Sequence, residues 1–132
     1  DLGSAGEYPA ALVASYRDAC RAMLAGNDAA LRDAMFAIGY AHPDDPEAMI
    51  RNAADIIRLA CEPLGHPGPY DFAASGLAVR ARDLGFAVPF GKRLRSPPPA
   101  TMFLHRKLIG TFLICVKLRA RVNVHAIIEK FL

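Results

Sequence analysis

The side chains able to ligate a metal or attack a substrate are few and scattered. The 132-residue chain has four histidines, His42, His66, His105 and His125, and three cysteines, Cys20, Cys61 and Cys115. They share no ligand-pair spacing with one another, and zinc sites and redox dithiols are built from such pairs. An odd, dispersed set of cysteines argues against a disulfide framework and for a reducing compartment. The preferred reading makes each a small buried hydrophobe inside a helix. His42 and His66 precede prolines in loops and His125 opens a helix, so the histidines read as surface or capping groups rather than ligands. The acidic run His42-Pro43-Asp44-Asp45-Pro46-Glu47 lacks the ligand count and the glycine of a calcium loop. Capping of the following helix by Asp45 accounts for it better. Neither a Ser–His–acid or Cys–His arrangement nor a glycine-rich phosphate loop can be read from the spacing.

Basic residues offer the other chemistry. His105-Arg106-Lys107 interrupts an otherwise apolar helix, and three consecutive polar positions cover nearly a full turn, so at least one must face protein. A buried charge needs a partner. Snorkelling along the surface is the preferred reading for Lys107, while Arg106 stays open as a contact to a ligand or an acidic helix. Residues 1–79 carry 5 Lys/Arg against 11 Asp/Glu, and residues 80–132 carry 11 against 2. Such a split can mark an anionic partner for the basic half. The alternative, preferred here, is that the two halves face each other, because the basic residues are interleaved with core positions. Arg106, Lys107, Arg119 and Arg121 are the candidate anion or partner contacts. Aromatic–basic interleaving is confined to Phe86, Phe90, Arg93 and Arg95, which leaves nucleic acid a weak candidate.

The elements that must position these residues are helices. Alanine, leucine and arginine abound, tryptophan is absent, and no alternating strand pattern occurs. The predicted fold class is all-α, a compact bundle of about six helices in a single domain, 1–132. The first helix spans about Pro9 to Ala25 and stops at Gly26. Asn27 or Asp28 caps a second, carrying Leu31, Met35 and Ile38 and closed by Gly39, so the two form a hairpin. Asp45-Pro46 starts a third, with Met49, Ala53, Ile56, Ile57 and Ala60, ending near Glu62-Pro63-Leu64-Gly65. Gly65 to Tyr70 reads as a loop. Asp71 or Ser75 caps a fourth helix through Leu77, Ala81 and Leu84, ended by Gly85. Residues 86–99 form the one internal sub-boundary. A long fifth helix, about Ala100 to Arg119, is apolar on most sides and is expected to be central and most buried. Asn123 caps a short last helix with Val124, Ile127, Ile128 and Phe131.

No stretch reads as a signal peptide or is long enough to span a bilayer. The expected location is cytoplasmic, or peripheral to a membrane. The chain opens with Asp1 and no initiator methionine, so a piece of a larger protein is expected.

The run from Pro97 to Gly110, with Phe103-Leu104-His105-Arg106-Lys107-Leu108 at its centre, and the run from Leu118 to Val124 resemble the C-terminal region of the UbiB/AarF family. These are atypical, protein-kinase-like proteins linked to ubiquinone biosynthesis and lipid metabolism. The N-terminal residues, including Tyr16-Arg17 and Leu24-Ala25-Gly26-Asn27-Asp28, resemble the same family in order and without large gaps. In it an Asp-Phe-Gly metal-binding motif precedes such helices, and Asp1-Leu2-Gly3 holds that place here. The resemblance implies that Asp1 holds Mg²⁺ against nucleotide phosphates in a full-length parent. It also implies that the helices are the end of a kinase C-lobe plus the family's C-terminal extension. The family's nucleotide lobe and catalytic loop lie before that motif. The expectation is therefore a structural or regulatory part, inactive alone, with no cofactor of its own; Mg and ATP belong to the parent. Expected partners are the missing N-terminal kinase-like lobe, an anionic lipid surface for the basic half, and a second copy through exposed apolar surface.

Overall fold

The computed structural model describes residues 6–86 and 98–132. Among them are seven helices and one two-stranded ladder: α1 (Ala10–Leu24), α2 (Asp28–Ile38), α3 (Glu47–Ala60), α4 (Glu62–Gly65), β1 (Tyr70–Asp71), α5 (Leu77–Phe86), α6 (Pro99–Lys117), β2 (Arg121–Val122) and α7 (Val124–Ile128). The fold is all-helical in character, as the composition predicts, and the ladder is an addition to it.

The α1–α2 hairpin is the most extensively packed pair. Gly26 takes a positive φ of 64° at the turn, where a side chain would be strained. The Asn27 side chain accepts from the Ala30 amide at 3.0 Å and caps α2. Gly39 closes α2 in the left-handed conformation. Small residues let the two helices approach: Ala19 and Ala22 of α1 lie in one buried cluster with Leu31, Ala34, Met35 and Ile38 of α2. Ala41, Ile50 and Ala53 extend that cluster to α3. This is the core, and it sits in the first half of the chain.

The start of α3 differs from the sequence expectation. Pro46 is its N-cap residue and gives no side-chain cap. Asp45 instead accepts from the His42 amide at 2.7 Å, closing the preceding loop. The chain breaks at Cys61, so the expected tail of α3 is a separate turn, α4. Ser75, not Asp71, serves the start of α5, its Oγ accepting from the Leu77 amide at 3.2 Å. Asp71 organises the turn before it, accepting from the Ala73 and Ala74 amides at 3.1 and 2.9 Å. The α5 backbone runs through Gly85 to Phe86. Residues 87–97, most of the expected sub-boundary, lie outside the described residues, as do Phe90, Arg93 and Arg95.

The predicted loop ends in a strand. Tyr70 pairs with Val122 and Asp71 with Arg121, antiparallel, and the Phe72 amide extends the ladder by donating to Ala120 O at 3.1 Å. Strand alternation turns Tyr70 and Phe72 to the same side, where both are buried. Phe72 meets Phe112 of α6 edge-on at 5.5 Å. Asn123 caps α7 as expected, accepting from the Ala126 amide at 3.0 Å.

The largest correction concerns α6. It is not the central helix. Phe103 is 63% exposed, Ile109 59% and Leu118 73%, and Met102, Leu113 and Ile114 are exposed too. A helix apolar all round normally reads as buried. Here only one side of it has neighbours among the described residues.

Candidate functional site

The inner side of α6 is held by a few side chains. Pro98 and Pro99 start the helix, with proline at N1, where its missing N–H costs nothing. Thr101 is fully buried, and its Oγ1 donates to Pro98 O at 2.8 Å. Beside it the end of α2 comes very close: a methyl group at Gly39 would meet Pro98 Cγ at 3.0 Å. Glycine is favoured at position 39 by its φ of 91°, and a side chain there would also press on the Pro98 ring.

The next residue, Tyr40, reaches His105 one turn along α6. Its hydroxyl hydrogen-bonds His105 Nε2 and lies 2.6 Å from the Tyr16 hydroxyl of α1. Tyr16 Oη is also 3.5 Å from His105 Nε2. The Tyr40 and His105 rings stack at 5.5 Å, and Tyr16 stands edge-on to Tyr40 at 6.3 Å. Burial lowers the pKa of His105 from its ordinary 6.5, and no neighbouring charge contributes. The neutral form of the ring is thereby favoured, and its Nε2 pairs with the Tyr40 hydroxyl, which pairs in turn with the Tyr16 hydroxyl. Burial drives the Tyr40 phenol far above its usual range and raises Tyr16 as well.

Of the polar triplet, then, His105 is the member that faces protein, which corrects its reading as a surface or capping histidine. Arg106 and Lys107 are exposed. Among the described residues their side chains make no hydrogen bond or ion pair, and the same holds for Lys117 and Arg119. At about 100° per residue, Arg106, Gly110 and Lys117 fall along one outer line of α6. Met102, Ile109 and Leu113 lie to one side of it and Phe103, Ile114 and Leu118 to the other. The outer side of α6 is thus a band of exposed apolar residues with unpaired cations along its middle.

Arg119 and Arg121 lie beyond the helix. Arg119 has a positive φ of 51°, the only non-glycine residue to do so among the described residues. Arg121, on β2, pairs with Asp71 at 3.8 Å. It is already engaged, which separates it from the other three candidate contacts. Arg80 also crosses from the basic to the acidic half, binding Glu62 through two hydrogen bonds of 2.6 and 2.8 Å. Arg80 and Tyr70, whose hydroxyl donates to Glu62 at 2.8 Å, hold the Glu62 carboxyl below its ordinary range against the opposing effect of burial. The two halves do meet, but the cations of α6 take no part.

The other candidates are structural or lie outside the described residues. Asp1 lies outside them. No group of three or more His, Cys, Asp or Glu side chains among the described residues could hold a metal ion. His125 ties α7 to α4, its Nδ1 lying 2.7 Å from Leu64 O and its Nε2 3.2 Å from Glu129. All three cysteines are free and partly buried. Burial pushes the Cys61 thiol up to about 12, so it is a poor nucleophile at neutral pH. No helix among the described residues is long and apolar enough to cross a membrane.

Sequence reasoning missed the Tyr16–Tyr40–His105 cluster. The three residues are 24 and 65 positions apart, and no local pattern links them. The one available signal was the requirement that some member of the triplet face inward.

No protein-family profile matches the chain. Individual relatives do. The chain is 31% identical over 128 residues, 93% of its length, to a mitochondrial atypical kinase COQ8 of Schizosaccharomyces pombe. It is 28% identical over 125 residues to the mitochondrial atypical kinase COQ8B of Danio rerio. To COQ8B of Rattus norvegicus it is 41% identical over 68 residues, 52% of the chain. It spans 20% of the yeast protein, 19% of the fish protein and 13% of the rat protein. With matches of this kind running through almost every element described above, the chain belongs to the UbiB/AarF family of atypical protein-kinase-like proteins.

Proposed function

We propose that the chain is the C-terminal helical portion of a UbiB/AarF-like kinase or ATPase. On this reading it completes the larger lobe, presents the family's C-terminal extension and transfers no phosphoryl group by itself. The observation that carries this reading is a match over 93% of the chain to only 20% of an atypical kinase. The uncovered outer side of α6 supports it, since apolar surface of this extent calls for a covering partner. Phosphoryl transfer needs several positioned groups and metal ions together. By resemblance this chain supplies one of them, Asp1, whose carboxylate suits Mg²⁺. Mg and ATP are accordingly assigned to the complete protein. The test is Mg²⁺-dependent ATP hydrolysis by the purified chain, expected at background level. Robust turnover would overturn the reading. In a second arm, a COQ8-like kinase lacking its homologous segment is mixed with the chain, and a stable complex is expected.

A second reading follows from the unpaired Arg106, Lys107, Lys117 and Arg119. Exposed apolar side chains with cations between them suit an anionic lipid surface, where each cation near the surface contributes about 1 kcal/mol. Co-sedimentation with vesicles containing phosphatidylserine, repeated over a salt series, decides it. Binding should weaken as salt rises, and no binding at low salt leaves the scaffold reading alone. The cytoplasmic location of the sequence reading stays a proposal. The names of the relatives place those proteins in the mitochondrion, so fractionation of cells expressing a tagged full-length protein has both compartments as outcomes.

A further inference from the structure

We propose that His105 is a protonation-sensitive latch that fastens α6 to the α1–α2 hairpin. Little else holds this helix. Among the described residues, α6 shares no broad packing surface with any other element. Its side-chain anchors among the described residues are the contact of Phe112 with Phe72, the close approach of Pro98 to Gly39, the buried Thr101 against Tyr16, and the hydrogen-bonded cluster of His105 with Tyr40 and Tyr16. Only the last contains a group that titrates near neutral pH.

The surroundings of His105 favour its neutral form. Tyr16 faces it from α1 and Tyr40 from the end of α2. Behind these lie the Cys61 thiol, near Tyr40, and the Tyr8 phenol and Thr101 hydroxyl, near Tyr16. None of these is a carboxylate, and among the described residues no carboxylate pairs with the ring. A neutral ring either accepts the Tyr40 proton at Nε2 or donates from it, according to its tautomer. A protonated ring donates at both nitrogens, so Tyr40 can then only accept from it, and a half-buried charge is left without a counter-ion. Water solvates that charge when the ring swings out, and α6 then loses its hydrogen bonds from this ring to α1 and Tyr40. Burial already lowers the pKa of the ring, in keeping with this preference. The affected helix is the one that carries the exposed apolar and cationic side chains, so the latch would govern how firmly that surface is presented.

Backbone hydrogen exchange of the full chain tests this, comparing α6 with α1–α2 after correction for the intrinsic pH dependence of exchange. Between pH 7.5 and 5.5 the protection of α6 should fall, by at most about tenfold per pH unit below pH 6.5, while α1–α2 holds. In His105→Gln, whose side-chain carbonyl can still accept from Tyr40 but does not titrate, the fall should vanish although His42, His66 and His125 remain. An equal fall in wild type and variant overturns the proposal, as does an unchanged α6 in wild type. Where His105→Gln does not fold, the ring protons of His105 in the native chain report instead. A midpoint below 6.5, accompanied by shifts in the Tyr16 and Tyr40 resonances, supports the latch, and a midpoint at or above 6.5 overturns it.

Discussion

At the scale of single residues, two positions carry stress that can be measured. Arg119 adopts a φ of 51° just past the end of α6, and a side chain in that region costs about 1–2 kcal/mol. The helix needs this conformation to end, because the Ala120 amide turns back to Cys115 O at 2.9 Å. The Arg119 side chain forms no bond among the described residues that would repay the strain. Arg119→Gly should therefore stabilise the fold by about 0.5–1 kcal/mol after the extra freedom of glycine in the unfolded chain is deducted. A rise of a few degrees in the thermal midpoint is the expected result, and no rise would mean that the side chain is engaged. The second position is His105. It is a base with a folded pKa below its unfolded 6.5, so the folded chain binds fewer protons than the unfolded one. Its contribution is whole above about pH 6.5 and is lost as pH falls through the folded value. Glu47 and Glu62 are acids with lowered pKa, because Arg32 and Arg80 hydrogen-bond them. Their contributions stand above 4.5 and fade as pH falls below it. Urea midpoints measured from pH 8 to 3 should thus decline in two windows, and His105→Gln should remove only the upper one.

At the scale of elements, α1, α2 and α6 show what a sequence can and cannot disclose. The hairpin was legible because its signals are local: the left-handed turn at Gly26, the Asn27 cap, and an apolar stripe with alanines that lets α2 approach α1. The place of α6 was not legible. Periodicity records which residues avoid water, but not whether their cover lies within this chain, and a helix apolar on all sides gives no direction. The ladder was equally hidden, since Tyr70-Asp71 and Arg121-Val122 are too short to show alternation and are brought together only by the packing between them. The candidate site divided along the same line. The triplet on α6 announced itself through its polarity, whereas Tyr16 and Tyr40 read as ordinary aromatic positions. This ranking of elements can be checked by truncation. Met35 is fully buried at the centre of the core, and Met35→Ala should cost about 2–5 kcal/mol. Ile109→Ala on the outer side of α6 should fall within about 0.5 kcal/mol of wild type. Comparable losses at both sites in urea unfolding would restore α6 to the central place that the sequence assigned it.

At the scale of the whole molecule, the distribution of apolar surface decides how the chain behaves in solution. The core gathers in α1–α3, while Met102, Phe103, Ile109, Leu113 and Ile114 of α6, Leu118 at its C-cap, and Ile127 and Phe131 near the C-terminal end are exposed. Soluble monomers seldom leave so many large apolar groups together in water. Without a covering partner, this surface should associate with its own copy. Sedimentation velocity over a wide concentration range is expected to show reversible oligomers, and Leu113→Glu with Ile114→Lys should return the chain to a monomer with its helicity intact. Salt separates the forces involved. Contacts between the basic half of one copy and the acidic half of another would weaken as ionic strength rises. Association through the apolar sides of α6 would persist or strengthen, sulfate being the most effective salt, because screening the unpaired Arg106, Lys107 and Lys117 reduces the repulsion between two facing helices. A profile that stays monomeric at every concentration would mean that the outer side of α6 is covered within the chain, and the docking surface proposed for the rest of the kinase-like protein would fall with it.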